Sequence, residues 1–323
     1  NVAWATQTLG ANLTAAYSVR VTAGTVDTSV ANNWSMTTTN FQIIVLGVLD
    51  CRGSVISAGS EISSTTDWMM RVNYGGTFTG GSGTHTYGSF YVEDNGNATM
   101  SSGSTTLNGY TTAAKYTMGW GSSATFSHGG GTVIFVYAGT QLFDSTSNVA
   151  RTLNNVQLNN AALVLRYVDG TGFNLTVAGT FTVTLGQFIS ADITSGTSRN
   201  LTVTGTSSIT GTCTPGATST MTFNGAVTVN NGGVLGGKSG WTGAFNADVT
   251  IARGGQVVCL GASVTLGTLT SIITVVNQGD IQGRVTVRNC RINPGRKYPT
   301  TETDDITRIG ASVLIPSVTW KRA

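Results

Sequence analysis

The chain has 323 residues, 43 of them glycine and only 4 proline, with 10% charged residues and a formal net charge of +3. Aliphatic and aromatic residues recur with strand periodicity, which excludes a disordered chain, and the charged fraction lies far below the roughly one quarter of ordinary cytosolic enzymes. A nearly neutral balance implies no general nucleic-acid surface.

No amphipathic helical stripe longer than two turns occurs, so the chain is predicted to be all-β. Its longest apolar run, Ile43-Ile44-Val45-Leu46-Gly47-Val48-Leu49, fits a buried strand and falls well short of the roughly 20 residues of a membrane span. The first residue is Asn1 rather than Met, and a processed or truncated form is expected.

Residues 1–50 are Thr-rich and alternating, and they end in the apolar FQIIVLGVLD. Strands of this kind need a partner in their own chain or in a neighbouring subunit. Residues 51–140 hold most of the aromatics between Gly-rich turns such as GGTFTGGSGTHTYGS. They read as a sandwich-like head or as wider first coils with loop excursions. Residues 141–172 form a transition into regular repeats.

From Phe173 to Asn289 the chain becomes a series of short alternating runs closed by Gly or Asn. Leu175-Thr176-Val177, Leu201-Thr202-Val203, Met221-Thr222-Phe223, Val249-Thr250-Ile251 and Val264-Thr265-Leu266 take like places, with starts 26, 20, 28 and 15 residues apart. One such unit cannot bury its apolar side alone; stacking coil on coil makes a continuous narrow core. This stretch resembles the right-handed parallel β-helix of phage tail and capsid-decoration proteins, autotransporter passengers and extracellular adhesins. The resemblance implies inward ladders of Val, Ile, Leu and Phe under an outer cover of Thr, Ser and Asn. The same alternation also fits antiparallel β-sandwich domains. After Asn289 periodicity is lost, and a final strand, ASVLIPSVTW, follows. Eight of the 17 basic residues lie from Arg284 onward against Glu302, Asp304 and Asp305. The expected organisation is a β-rich region 1–140, solenoid repeats 141–292 and a basic tail 293–323.

Gly232-Gly233-Val234-Leu235-Gly236-Gly237-Lys238-Ser239 satisfies the spacing G-x-x-x-x-G-K-S/T. A phosphate loop opens a helix, whereas here Gly240-Trp241-Thr242-Gly243 follows, so a glycine-rich turn is predicted. His128-Gly129-Gly130-Gly131 matches an esterase oxyanion loop, but the nucleophile elbow that must accompany it is missing. With two histidines and no CxxC pair, neither a metal nor a cofactor is expected. Cys51, Cys213, Cys259 and Cys290 permit two disulfides or buried thiols.

Carbohydrate cleavage would need paired carboxylates, and Glu93-Asp94 is the only adjacent acidic pair before the tail. Trp68, Tyr74, Tyr87, Tyr110 and Trp120 are candidate sugar-stacking residues, against a reading in which they form the core of a short-stranded domain. Sequons at Asn12, Asn33, Asn97, Asn174 and Asn200 are glycosylation candidates in a secretory host.

Low charge and stacked Thr/Asn strands lead to the expected function. It is a non-enzymatic structural protein of a virion surface or extracellular assembly, such as a capsid decoration or tail fibre, whose partners are other subunits of the same assembly. The alternatives are a cell-surface filament subunit or adhesin, and a glycan-binding or polysaccharide-cleaving spike.

Overall fold

The computed structural model describes residues 6–16, 18–29, 31–38, 42–59, 61–62, 68–111, 116–145, 149–168, 173–192, 196–237, 240–268, 273–287 and 290–294. Among these there is no helix, and every strand ladder is parallel. The chain is a parallel β-solenoid with three strand-bearing faces.

Many strands are three residues long, and the commonest pattern among them is in–out–in, as in Leu201-Thr202-Val203. Successive side chains in a strand point to opposite faces, so a three-residue strand in this phase buries its two ends and exposes its middle. Slipping one residue would expose both apolar ends, each worth about 1.5–3 kcal/mol of burial, and would bury a hydroxyl. Register is therefore set by burial, since a backbone hydrogen bond contributes only about 1 kcal/mol net. Gly and Asn supply the corners. Gly233 donates its N–H to the Asn230 carbonyl at 2.9 Å, and a Cβ there would lie 2.1 Å from the Ile209 oxygen of the coil above.

The second face is an unbroken column from Leu13–Ala15 through His85–Tyr87, Thr132–Phe135 and Val227–Val229 to Cys290–Pro294. The third runs from Val19–Val21 through Phe90–Val92 and Thr212–Pro215 into Asp280–Val287. The first face is two columns. One stacks Gln7–Thr8 to Thr125–Ser127; the other stacks Arg151–Leu153 to the later part of Asp280–Val287. Among the described residues no ladder joins them.

That seam is held by a cation. Arg151 stands at an inward position, in register with Leu175 of the next coil. It donates to the carbonyls of Ala124 (3.2 Å) and Gly121 (3.0 Å) and lies over the Trp120 ring, 5.7 Å from its centroid. Burial pushes its pKa down.

Two expectations need correction. The N-terminal region is not sandwich-like: parallel stacking begins at Gln7 and crosses position 140 without interruption on the second and third faces. These are wider first coils with excursions. The repeat alignment also mixes two faces. Leu175, Leu201, Met221, Gly243, Val264 and Val285 form one column, whereas Val249 stacks between Val227 and Val275 on the second face. The final strand and most of the basic tail lie outside the described residues.

Candidate functional site

Among the described residues, aromatic and charged side chains gather on the outer side of the third face of the N-terminal coils. Two excursions leave the corner between the second and third faces, and they meet where Tyr110–Thr111 pairs with Glu61–Ile62. Trp68 folds back over the face, with its ring 4.8 Å from Tyr91 and 5.9 Å from Tyr116, nearly parallel to both. Gly119 makes room for it: a Cβ there would meet the Trp68 and Tyr91 rings at 3.0 Å.

Around these rings stand Arg71, Glu93, Asp94 and Asp144. Glu93 pairs with Arg71 and accepts the Tyr74 N–H at 3.0 Å. Asp94 accepts from the Ser122 hydroxyl (2.9 Å) and the Ser123 N–H (3.0 Å). The Ser123 N–H is the main cause holding its pKa below the usual carboxylate range, with the Ser122 hydroxyl next. Burial, with Asp144, Asp94 and Glu93 nearby, pushes the Tyr91 phenol up to about 12. Asp94 is thus committed to neighbours that favour its ionised form, the opposite of the environment a general acid needs.

The sugar-stacking candidates separate sharply. Tyr87 and Trp120 are fully buried in the core, and Trp68, 6% exposed, is covered on the outer side of the third face by its stacking on Tyr91 and Tyr116. Tyr74 is 68% exposed, at the turn beside Glu93. The Tyr110 side chain lies outside the described residues.

Tyr87 serves the interior, its hydroxyl 2.8 Å from His85 Nδ1. His85 is buried, and desolvation pulls its pKa down to about 4. Cys51, Cys213 and Cys259 are buried free thiols, and burial raises Cys259 to about 12. The Cys290 side chain is outside the described residues.

A second polar cluster lies at a corner of the coil. Asp192 is fully buried and receives Nε and Nη2 of Arg199, both at 3.0 Å, while the Ser190 hydroxyl donates to the Arg199 carbonyl. Two parallel bonds of this kind fix the corner geometrically.

Four of the five sequon asparagines carry coil-to-coil bonds. The Oδ1 atoms of Asn12, Asn33, Asn174 and Asn200 accept the backbone N–H of Ser35 (2.9 Å), Gly53 (3.0 Å), Asn200 (3.0 Å) and Thr220 (2.8 Å). Asn97 is exposed on the first face. Sequence reading missed this ladder because a carboxamide bonding a neighbouring coil leaves no local signal.

In the glycine-rich stretch, Val234–Gly236 is a strand paired on both sides, so no helix N-terminus is presented; Lys238 and Ser239 lie outside the described residues. At the other motif, His128 Nδ1 accepts the Gly130 N–H at 3.0 Å, closing a turn on itself. Among the described residues no group of three metal-ligating side chains occurs. No family model, curated protein or solved structure matches this chain.

Proposed function

We propose that the chain is a non-enzymatic structural subunit of a virion-surface or extracellular assembly, such as a capsid decoration or tail fibre, joined by β contacts between subunits. One observation carries this reading. The parallel ladders stop in strands with a partner on one side only: Gln7–Thr8, Leu13–Ala15 and Val19–Val21 at one end, Asp280–Val287 and Cys290–Pro294 at the other, among the described residues. Such edges are templates for further pairing, and a solenoid needs them covered. Native mass by light scattering, with electron microscopy of the same sample, tests it. A discrete oligomer or an open-ended polymer is expected; a monomer at all concentrations overturns the reading.

A glycan-binding spike is the second reading, supported by Tyr74, which is 68% exposed. A glycan array in which Tyr74→Ala abolishes a wild-type signal supports it, and an array with no wild-type signal overturns it.

A further inference from the structure

The faces of the solenoid differ in what they turn outward. On the second face, twelve outward positions stack in register from Thr14 to Val276. Seven are threonine and two serine, the others are Ile134, Gln157 and Val276, and none is charged. The matching row of the third face includes Arg20, Arg71 and Asp144. Strand propensity favours threonine on any half-exposed sheet face. It accounts for the hydroxyls, but not for charge kept off this face and admitted on the third. Apolar groups join the row: Ile134 and Val276 are only half-buried, and Val55 and Leu185 at its margins are 52% and 45% exposed. A surface left to solvent ordinarily carries interspersed charges.

We propose that the second face is a lateral interface whose occupant is the second face of another copy, so that solenoids pack side by side. The inference rests on the assembly reading above and adds a contact distinct from the open strand edges. Period argues for the occupant. The row repeats at about 4.8 Å a coil, and the same face of a second copy has that repeat at every coil. The branched Cβ of threonine restricts its rotamers, so two such rows interlock with little side-chain ordering, as identical stacked side chains do in a dry sheet-to-sheet contact. Area argues the same way. Eleven steps make a face roughly 50–55 Å long and about 10 Å wide. Two copies together then cover roughly 1,000–1,100 Å², the size at which a specific interface begins. The uncharged row of the first face, Thr152 to Thr265, is less than half as long and falls short. Asp248 and Arg253, exposed at the corners flanking Val249–Ile251, give the uncharged strip a charged margin, the layout of a protein interface. A face that meets its own twin is isologous, so this contact closes at two copies.

The test compares native masses of the full chain by light scattering. Wild type is expected to contain paired copies. Thr182→Lys with Thr228→Lys buries unpaired charge in the contact and is expected to halve the mass, with association weakened roughly a hundredfold. Thr202→Lys with Thr222→Lys, on the first face, is expected to leave the mass unchanged. A nitroxide on Thr228→Cys is expected to be immobilised and one on Thr202→Cys to be mobile, which decides the matter should the lysine variants unfold. Masses insensitive to the second-face lysines, with both labels equally mobile, overturn the lateral contact alone. A wild type that is monomeric at all concentrations overturns the assembly reading with it.

Discussion

Between Phe78 and Phe188 the interior holds two groups of touching rings, one around Phe90 and one running from Trp120 to Phe188. Phe78 and Tyr87 contact Phe90, and Phe143 and Phe173 join Trp120 to Tyr167, which meets Phe188. From Leu201 to Val285 the inward positions are mostly aliphatic, with the Phe223–Phe245 stack and Trp241 among them. Coil lengths differ as well. Consecutive third-face partners Met70, Phe90, Met118 and Phe143 are 20, 28 and 25 residues apart. First-face partners Leu201, Met221, Gly243, Val264 and Val285 are 20, 22, 21 and 21 apart. The in–out–in strand is common to both regions, so extra length goes into corners, and different fillings are accepted under one backbone plan.

Stacked coils contact only their neighbours, so damage should stay local. The largest expected effect is in the aliphatic region. Phe223→Ala removes a fully buried ring stacked 5.1 Å from Phe245 and should cost about 3–5 kcal/mol. Hydrogen exchange should show faster opening at 201–266 with 70–145 unchanged; equal acceleration in both would show one cooperative block.

Next comes pH, which should divide the regions because both histidines lie in the N-terminal one. The His85 pKa is about 4 when folded and about 6.5 when unfolded. Its neutral form therefore contributes full stability above pH ~6.5, and the contribution is lost as pH falls toward ~4, by about 3 kcal/mol. Exchange at 77–107 should accelerate over that window while 201–251 does not, and His85→Gln should flatten the response. A slope that survives His85→Gln would rule this origin out.

Arg151→Ala should cost about 2–3 kcal/mol by leaving the Gly121 and Ala124 carbonyls unsatisfied. It should also uncouple the two regions, seen as two urea transitions where wild type has one. Unchanged unfolding would mean that the second and third faces alone carry the join. The smallest effect belongs to Gly119→Ala, whose methyl group meets Trp68 and Tyr91 at 3.0 Å. About 1 kcal/mol is expected, with Trp68 more open to acrylamide quenching; unaltered quenching would show that the ring has room to spare.

The β-solenoid was legible because Leu201-Thr202-Val203 and its like recur at short spacings, a repetition that stacking coils explains, although the alternation within each run also fits a sandwich. The face assignment was not. Thr242-Gly243-Ala244-Phe245 belongs to the first-face column, yet Gly243 shows no apolar residue, because the Trp241 ring fills its place: a Cβ on Gly243 would lie 2.5 Å from that ring. In the sequence Val249 looks like the missing member, although it belongs to the second face. Rings at Tyr87 and Trp120 between Gly turns look the same in sequence whether they face solvent or a wide interior, and only the coil geometry separates the two. Arg151 occupies a ladder position that hydrophobic periodicity assigns to an apolar residue, so the seam left no trace. Of the outer cluster, Glu93-Asp94 was visible as a pair, but their partners Arg71, Ser122 and Ser123 come from other coils.

The parallel ladders have a mechanical consequence. Their hydrogen bonds point along the solenoid axis, so a pull on the two ends would load the coils one after another, opening a zip instead of shearing a sheet. Each coil of 20 to 28 residues would release about 70–100 Å of contour. The regular coils would yield in even steps and the N-terminal ones in uneven steps. A protein built this way gives length gradually under tension and re-forms from whichever end remains wound.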